Sequence, residues 1–353
     1  MSKVERVLIY RLGSIGDFVI ALPCLNLVRR RFPAARIALL TNLPVEARAA
    51  PAMSVLEGSG LVDVLLTYAG GTRDPRELLG MRREIRAMAP DLMVYLASRR
   101  ALWQVLRDHA YFASCGIERM VGFPYVTANR LARPPEMEGG HWGHEAQRLA
   151  RCLAPLGDAA SYERASWDLG LTAAERSAAQ RLIGELLPER GSLRPAIGLS
   201  VGTKQTVKDW GDENWRGVLR RLADAERPLL LIGSREERER SQAAAAAWPG
   251  PVLNFCGAAS PRVSAALLEL VELFLCHDSG PMHLAAAVGT RIIAVFSRHR
   301  PPGQWFPFGL GHRVFYPMER GQTILDISPE SVADAALETL ARTPPQLYKQ
   351  ATG

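Results

Sequence analysis

Residues 273–296 read LFLCHDSGPMHLAAAVGTRIIAVF. Residues 273–276 and 292–296 are continuous apolar runs of strand length, and residues 281–288 between them have the length and alanine content of a helix. A strand, a helix and a second strand in that order require a parallel pair joined by a crossover, and so an α/β sheet with helices on its faces. The turn His277-Asp278-Ser279-Gly280 puts polar residues beyond the carboxyl end of a strand, where such sheets hold ligands. Pro281 suits a first helical turn whose free amides, with the Ser279 and Gly280 backbone, form an anion pocket. His283 could donate to a phosphate there, and Asp278 could accept from a ribose hydroxyl or hold the loop. The same residues also fit a plain capping turn with a buried histidine behind it.

The alternation extends in both directions. Upstream lie strands at 197–200, 229–232 and 252–255 with helices at 212–223, 236–247 and 261–269; downstream, Ser328-Pro329-Glu330 opens a last helix through Arg342. The first half repeats the rhythm: strand 7–10 and helix 17–31, strand 37–40, strand 62–68 and helix 76–88, strand 92–96 and helix 102–112. The polar stretch 133–143 breaks it, a helix starts at Glu145, and residues 155–170 read as a passage between domains. The expected domains are 1–169 and 170–353, two doubly wound sheets facing across a cleft, and 353 residues suit two cores.

Composition removes several classes. Hydrophobic residues are 48%, charged residues 22% and mean hydropathy is −0.03, which excludes a disordered chain, a collagen or a bundle of membrane spans. No apolar run approaches the roughly 20 residues of a membrane helix, and the start lacks a secretory signal. Five scattered cysteines without CxxC spacing point to reduced thiols in a cytoplasm and against a thiolate metal site. Net charge is +7. Residues 1–169 hold 22 Lys and Arg against 17 Asp and Glu, the larger part of that excess. Anionic partners follow; nucleic acid does not, for want of a recognition motif or stacking platform.

Two further turns carry candidate chemistry. Arg11-Leu12-Gly13-Ser14-Ile15-Gly16-Asp17 joins the first strand to the first helix, with GxxG spacing where a dinucleotide fingerprint would need GxGxxG. It also fits a tight turn capped by Asp17. Ser200-Val201-Gly202-Thr203-Lys204-Gln205-Thr206-Val207-Lys208 follows a strand, fails the Walker A spacing, and holds two of the four lysines. Glycine, hydroxyls and ammonium groups there suit a diphosphate, or simply make a solvated basic loop. Gly233-Ser234-Arg235-Glu236-Glu237 could offer an acid to a ribose, or be an acidic helix start. His141 and His144 read as loop or helix-start residues and not as metal ligands, and Arg82, Arg83, Arg86, Arg99, Arg100 and Arg107 as solvated helix faces. No GxSxG or HExxH anchors hydrolysis.

In combination these motifs resemble glycosyltransferase family 9, the bacterial heptosyltransferases. RLGSIGDFVIALP (residues 11–23) is similar to the family's R-x-x-x-x-GD opening, and CHDSGPMHLAAAVG (residues 276–289) to its D-(S/T)-G-x-x-H-L-x-A-A signature. The resemblance implies a GT-B fold with the acceptor domain first and the nucleotide-sugar domain second. It implies Asp17 as catalytic base, with Arg11 and Gly16 beside it, and Lys208 as diphosphate ligand. Thr203 and Lys204 become phosphate neighbours, Glu237 (or Glu236 in a shifted register) a ribose ligand, and Gly257 a loop glycine before the next helix. Asp278, Ser279, Gly280 and His283 would hold the diphosphate and adjacent sugar. The implied reaction is inverting transfer of heptose from ADP-heptose to a lipopolysaccharide-type acceptor, with no cofactor and no metal, at the inner face of the inner membrane. Lys204 departs from the family, which favours a small or hydroxyl residue there. A nucleotide-sugar epimerase and a non-catalytic nucleotide-sugar-binding protein share the implied fold.

Overall fold

Apolar runs become parallel strands in both halves of the chain. The computed structural model describes residues 3–43, 53–98, 100–123, 143–159, 163–187 and 194–342, and the chain divides into two compact units, Met1–Gly170 and Leu171–Gly353.

The first unit is a five-stranded parallel sheet in the order β3-β2-β1-β4-β5. Its strands are β1 (Arg6–Tyr10), β2 (Arg36–Asn42), β3 (Val64–Tyr68), β4 (Leu92–Tyr95) and β5 (Met120–Val121). β1 is paired on both edges, so Val7, Leu8 and Ile9 are fully buried and the run is unbroken rather than alternating. The helices are α1 (Ile15–Ile20), α2 (Leu22–Arg31), α3 (Met53–Leu56), α4 (Pro75–Met88), α5 (Leu102–Ser114) and α6 (Glu145–Cys152). The single helix expected over 17–31 is two: α1 ends at Ala21, and Pro23, which has no amide to donate, sits in the first turn of α2. The chain winds outward from β1 through β2 to β3, then reverses to β4, so the strand order switches beside the carboxyl end of β1.

The second unit repeats the device with six parallel strands, β11-β10-β9-β6-β7-β8. They are β6 (Ala196–Ser200), β7 (Leu229–Leu231), β8 (Val252–Asn254), β9 (Val271–His277), β10 (Arg291–Val295) and β11 (Arg313–Phe315), with α7 (Ala173–Leu186), α8 (Asp212–Leu222), α9 (Arg238–Ala244), α10 (Pro261–Leu268), α11 (Gly280–Ala287) and α12 (Pro329–Ala341). The switch falls between β6 and β9, which pair directly. Trp210, Trp215 and Trp248 fill the core beside Leu199, Leu231 and Leu275. The sequence leads us to expect the last helix, about 329–342, to pack back toward the first unit; within the second unit, the apolar side of α12, Val332, Ala333 and Ala336, joins that unit's core, and Arg221 pairs with Asp334 at 2.6 Å. All five cysteines are buried and unpaired, and no helix among the described residues is long and apolar enough to cross a membrane.

Candidate functional site

Both switch points carry the residues singled out from sequence. In the first unit the turn after β1 folds on itself. Asp17 closes a capping box with Ser14, accepting from the Ser14 amide at 2.9 Å and from its hydroxyl at 3.4 Å. Gly13 has a φ of +137°, and a β-carbon there would run into the Asp17 carboxylate, so glycine is what allows the turn and the acid to coexist. Gly16 is buried in α1. Arg11 is wholly buried, donating to the Leu96 carbonyl at 2.9 Å and to Asp17 Oδ1 at 3.2 Å.

Behind Arg11 lies a chain of charge that sequence reasoning did not find. Glu145 Oε1 is 3.8 Å from Arg11 and pairs with Arg148 at 2.6 Å, and Arg148 donates to the Ala97 carbonyl at 2.9 Å. Such groups are tolerated inside only when paired. Here they fix Arg11 from behind, and Arg11 fixes Asp17, whose side chain keeps a quarter of its surface open. The signal was available in Glu145-x-x-Arg148, whose i, i+3 spacing puts an acid and a base side by side on α6.

In the second unit the loop after β6 meets the loop after β9. Lys208 Nζ donates to Asp278 Oδ2 at 2.6 Å, uniting two residues 70 positions apart. The pair is mostly shielded, and the ammonium, aimed by Asp278, keeps two further N–H donors. Ser279 is the N-cap of α11 but its side chain makes no capping bond; Oγ, out of solvent, has no hydrogen-bond partner among the described residues. The first amides of α11 have no acceptor within the helix, and Pro281 removes one of them. His283 is buried in the first turns of α11, its ring edge-on to Trp305 at 6.2 Å.

His277, the last residue of β9, fastens these loops together. Its Nε2 accepts from the Trp210 amide at 3.0 Å and from Trp215 Nε1 at 3.3 Å. Burial holds its pKa down at about 4, so the ring is neutral and Nε2 is free to accept. Asp209, next to Trp210, pairs with Arg240 at 2.8 Å; burial raises its carboxyl, but Arg240 and the Gly211 amide outweigh it and the pKa is lowered. The loop is therefore anchored directly after Lys208, at Asp209 and Trp210.

The remaining expected residues lie around this frame. Glu237 closes a capping box with Ser234, accepting its amide at 2.7 Å. Its carboxylate lies where β-carbons on Gly202 and Gly233 would be, at the carboxyl ends of β6 and β7; Glu236 lies one residue along the same 3-10 turn. Gly257 has a φ of +72°, and a β-carbon there would come within 2.6 Å of the Arg235 backbone. Its amide donates to the Gly233 carbonyl at 3.0 Å, so it joins two loops and offers no side chain. Thr203 is turned inward on its own loop, its hydroxyl donating to the Gln205 carbonyl at 3.3 Å, and Lys204 is exposed.

Some expectations are corrected. Arg100 does not solvate a helix face: it pairs with Asp108 at 2.7 Å and donates to Tyr10 Oη at 3.1 Å. Tyr10 in turn shares a hydrogen bond with Tyr68 at 2.8 Å. His144 stands at a helix start, in line with its sequence reading: it caps α6, its Nδ1 accepting from the Ala146 amide at 3.1 Å, while His141 and Arg99 lie outside the described residues.

A family model described as glycosyltransferase family 9 (heptosyltransferase) matches residues 138–316. No curated protein matches the chain. Among solved structures the chain is similar to the glycosyl transferase family 9 protein from Veillonella parvula DSM 2008, 19% identical over 96% of this chain and 98% of that one, with a TM-score of 0.75. It is similar to E. coli ADP-heptose lps heptosyltransferase II, 18% identical over 95% and 98%, TM-score 0.65. It is also similar to E. coli heptosyltransferase WaaC solved with ADP, 18% identical over 95% and 99%, TM-score 0.63. These likenesses show the fold, GT-B.

Proposed function

Because the chain belongs to glycosyltransferase family 9, we propose that it transfers a sugar, with inversion, from a nucleoside diphosphate carrier to a surface-glycan acceptor. The observation that carries this reading is the Lys208–Asp278 contact, which assembles two separate motifs at the open N-terminus of α11. Breaking a bond between an anomeric carbon and a diphosphate puts negative charge on the leaving group. Lys208, the α11 amides and the Ser279 hydroxyl are donors suited to taking it up, and no metal need be added to them. Asp17, held by Arg11 and Ser14 with part of its surface open, acts as the base that removes a proton from the acceptor hydroxyl as it attacks. Attack opposite the leaving group inverts the anomeric centre.

ADP-heptose is the proposed donor, since the similar E. coli proteins are described with ADP-heptose or ADP. Glu237 then receives the ribose, and Thr203, Lys204, Gly280 and His283 flank the diphosphate and sugar. An anionic glycolipid such as a lipopolysaccharide core is the proposed acceptor, met by a cytoplasmic enzyme at the inner face of the inner membrane.

The test is thermal stabilisation by a panel of ADP, UDP, GDP, TDP and ADP-heptose, run on the native protein and on Lys208→Ala. A ligand at a hundred times its dissociation constant adds about 2.7 kcal/mol. The expected result is a selective shift with ADP and ADP-heptose that Lys208→Ala largely abolishes. A preference for another base replaces the donor, and a shift indifferent to Lys208 removes that residue from the diphosphate.

A further inference from the structure

We propose that the outward faces of α4 and α5 form a docking surface for an anionic phospholipid bilayer. The two helices lie side by side on one face of the first unit's sheet: Tyr111 Oη donates to the Leu78 carbonyl at 2.9 Å, and Arg82 Nε to the Ser114 carbonyl at 3.0 Å. Their outer surface is unusually apolar. Trp103 is 63% exposed, Leu106 60%, Leu79 49% and Leu102 43%; Ala110 and Ala113 continue the stripe along α5. A folded domain has no reason of its own to leave a tryptophan and three leucines exposed on two adjoining helices.

The charges around the stripe say what covers it. Arg76, Arg83, Arg86 and Arg107 are exposed on these two helices, and Arg107 lies over the Trp103 ring at 5.5 Å while its guanidinium pairs with Asp108 at 2.8 Å. The opposing acids are largely occupied. Asp108 accepts from Arg100 and Tyr95 on one oxygen and from Arg107 on the other, Glu77 accepts the Ala69 amide at 2.7 Å and Asp74 caps α4; Arg76, Arg83 and Arg86 are left to face outward, with Glu84 the exposed acid of the α4 surface. Tryptophan and leucine ringed by arginine match the boundary between acyl chains and anionic headgroups.

The placement is also informative. α5 begins just beyond the carboxyl end of β4, the neighbour of β1, so Leu102 and Trp103 lie at the same end of this sheet as Asp17. A bilayer seated there presents its own lipids to the acceptor unit. The inference rests on the proposed glycolipid reading for its purpose; its geometry stands without it.

The experiment measures binding of the full chain to vesicles of phosphatidylcholine with and without phosphatidylglycerol, all free of glycolipid, together with quenching of tryptophan emission by acyl-brominated lipid. Expected are binding that requires the anionic lipid and is weakened by salt, and quenching that Trp103→Phe removes. Binding should fall about twentyfold or more in Arg83→Glu/Arg86→Glu and at least tenfold in Trp103→Ser/Leu106→Ser, with the ADP thermal shift unchanged in every variant. Equal binding to neutral vesicles, or variants that bind as the native chain does, overturns the proposal. So does concentration-dependent self-association that Trp103→Ser/Leu106→Ser abolishes in the absence of vesicle binding, which assigns the face to a second copy. Loss of the ADP shift in the native protein would instead count against the donor reading and leave the docking result standing.

Discussion

Asp17 closes a turn and, in the proposed reaction, takes the proton of the acceptor hydroxyl. Asp17→Asn keeps an oxygen for the Ser14 amide but cannot take a proton, so the chain should fold and bind nucleotide as before while turnover falls at least a hundredfold. Steady-state kinetics beside nucleotide titration separates the two, and near-normal turnover would remove Asp17 from the role. His277 gives a prediction about pH. Its pKa is held at about 4 by burial against an ordinary 6.5, so between those values the unfolded chain takes up a proton that the native chain refuses. Stability from this residue is complete above about pH 6.5 and is lost as pH falls toward 4, up to about 3 kcal/mol. His312 is displaced in the same sense, also to about 4. Denaturant titrations at pH 7 and 4.5 should therefore show His277→Gln losing markedly less stability on acidification than the native chain, although it starts lower.

Among the elements, what sequence could reveal depended on whether the deciding interaction was local. The strand–turn–helix around Asp278 was readable because continuous apolar runs and Pro281 are local signals, and Ser328 accepts from the Ser331 amide as an N-cap should. Helix α7 escaped, although Thr172 and Glu175 form a reciprocal capping box at its start: its interior has little apolar periodicity, and only Ala179 and Ile183 are buried. β11 escaped because it is a three-residue edge strand, held by pairing with β10 that no local pattern announces. Lys208 and Asp278 were each identifiable, but their contact was not, since it depends on β6 and β9 being neighbours. The Arg11–Glu145 approach spans 134 positions and was out of reach for the same reason. Gly257 belongs to this scale too. Its left-handed backbone and the nearness of Arg235 mean that Gly257→Ala must open the junction between the loops after β7 and β8. It should cost about 1–2 kcal/mol from the backbone conformation alone, read as a shift in denaturation midpoint, with weaker nucleotide binding alongside.

At the scale of the whole molecule, two sheets built to one plan hold different candidate residues at matching places. Each has its strand-order reversal beside its candidate residues, Asp17 after β1 and Lys208 with Asp278 after β6 and β9. Each unit also has its own buried core, so ligand binding to one need not brace the other. The buried cysteines make that independence measurable. Cys24, Cys115 and Cys152 lie in the first unit, Cys256 and Cys276 in the second, all shielded, and burial raises each thiol above its ordinary pKa, which suppresses the reactive thiolate. An alkylating reagent can therefore mark each of them only when the surrounding unit opens. Pulse labelling with peptide mapping turns five silent sulfurs into two separate clocks, and saturating ADP should slow the clock of Cys256 and Cys276 while leaving that of the other three to run at its own pace.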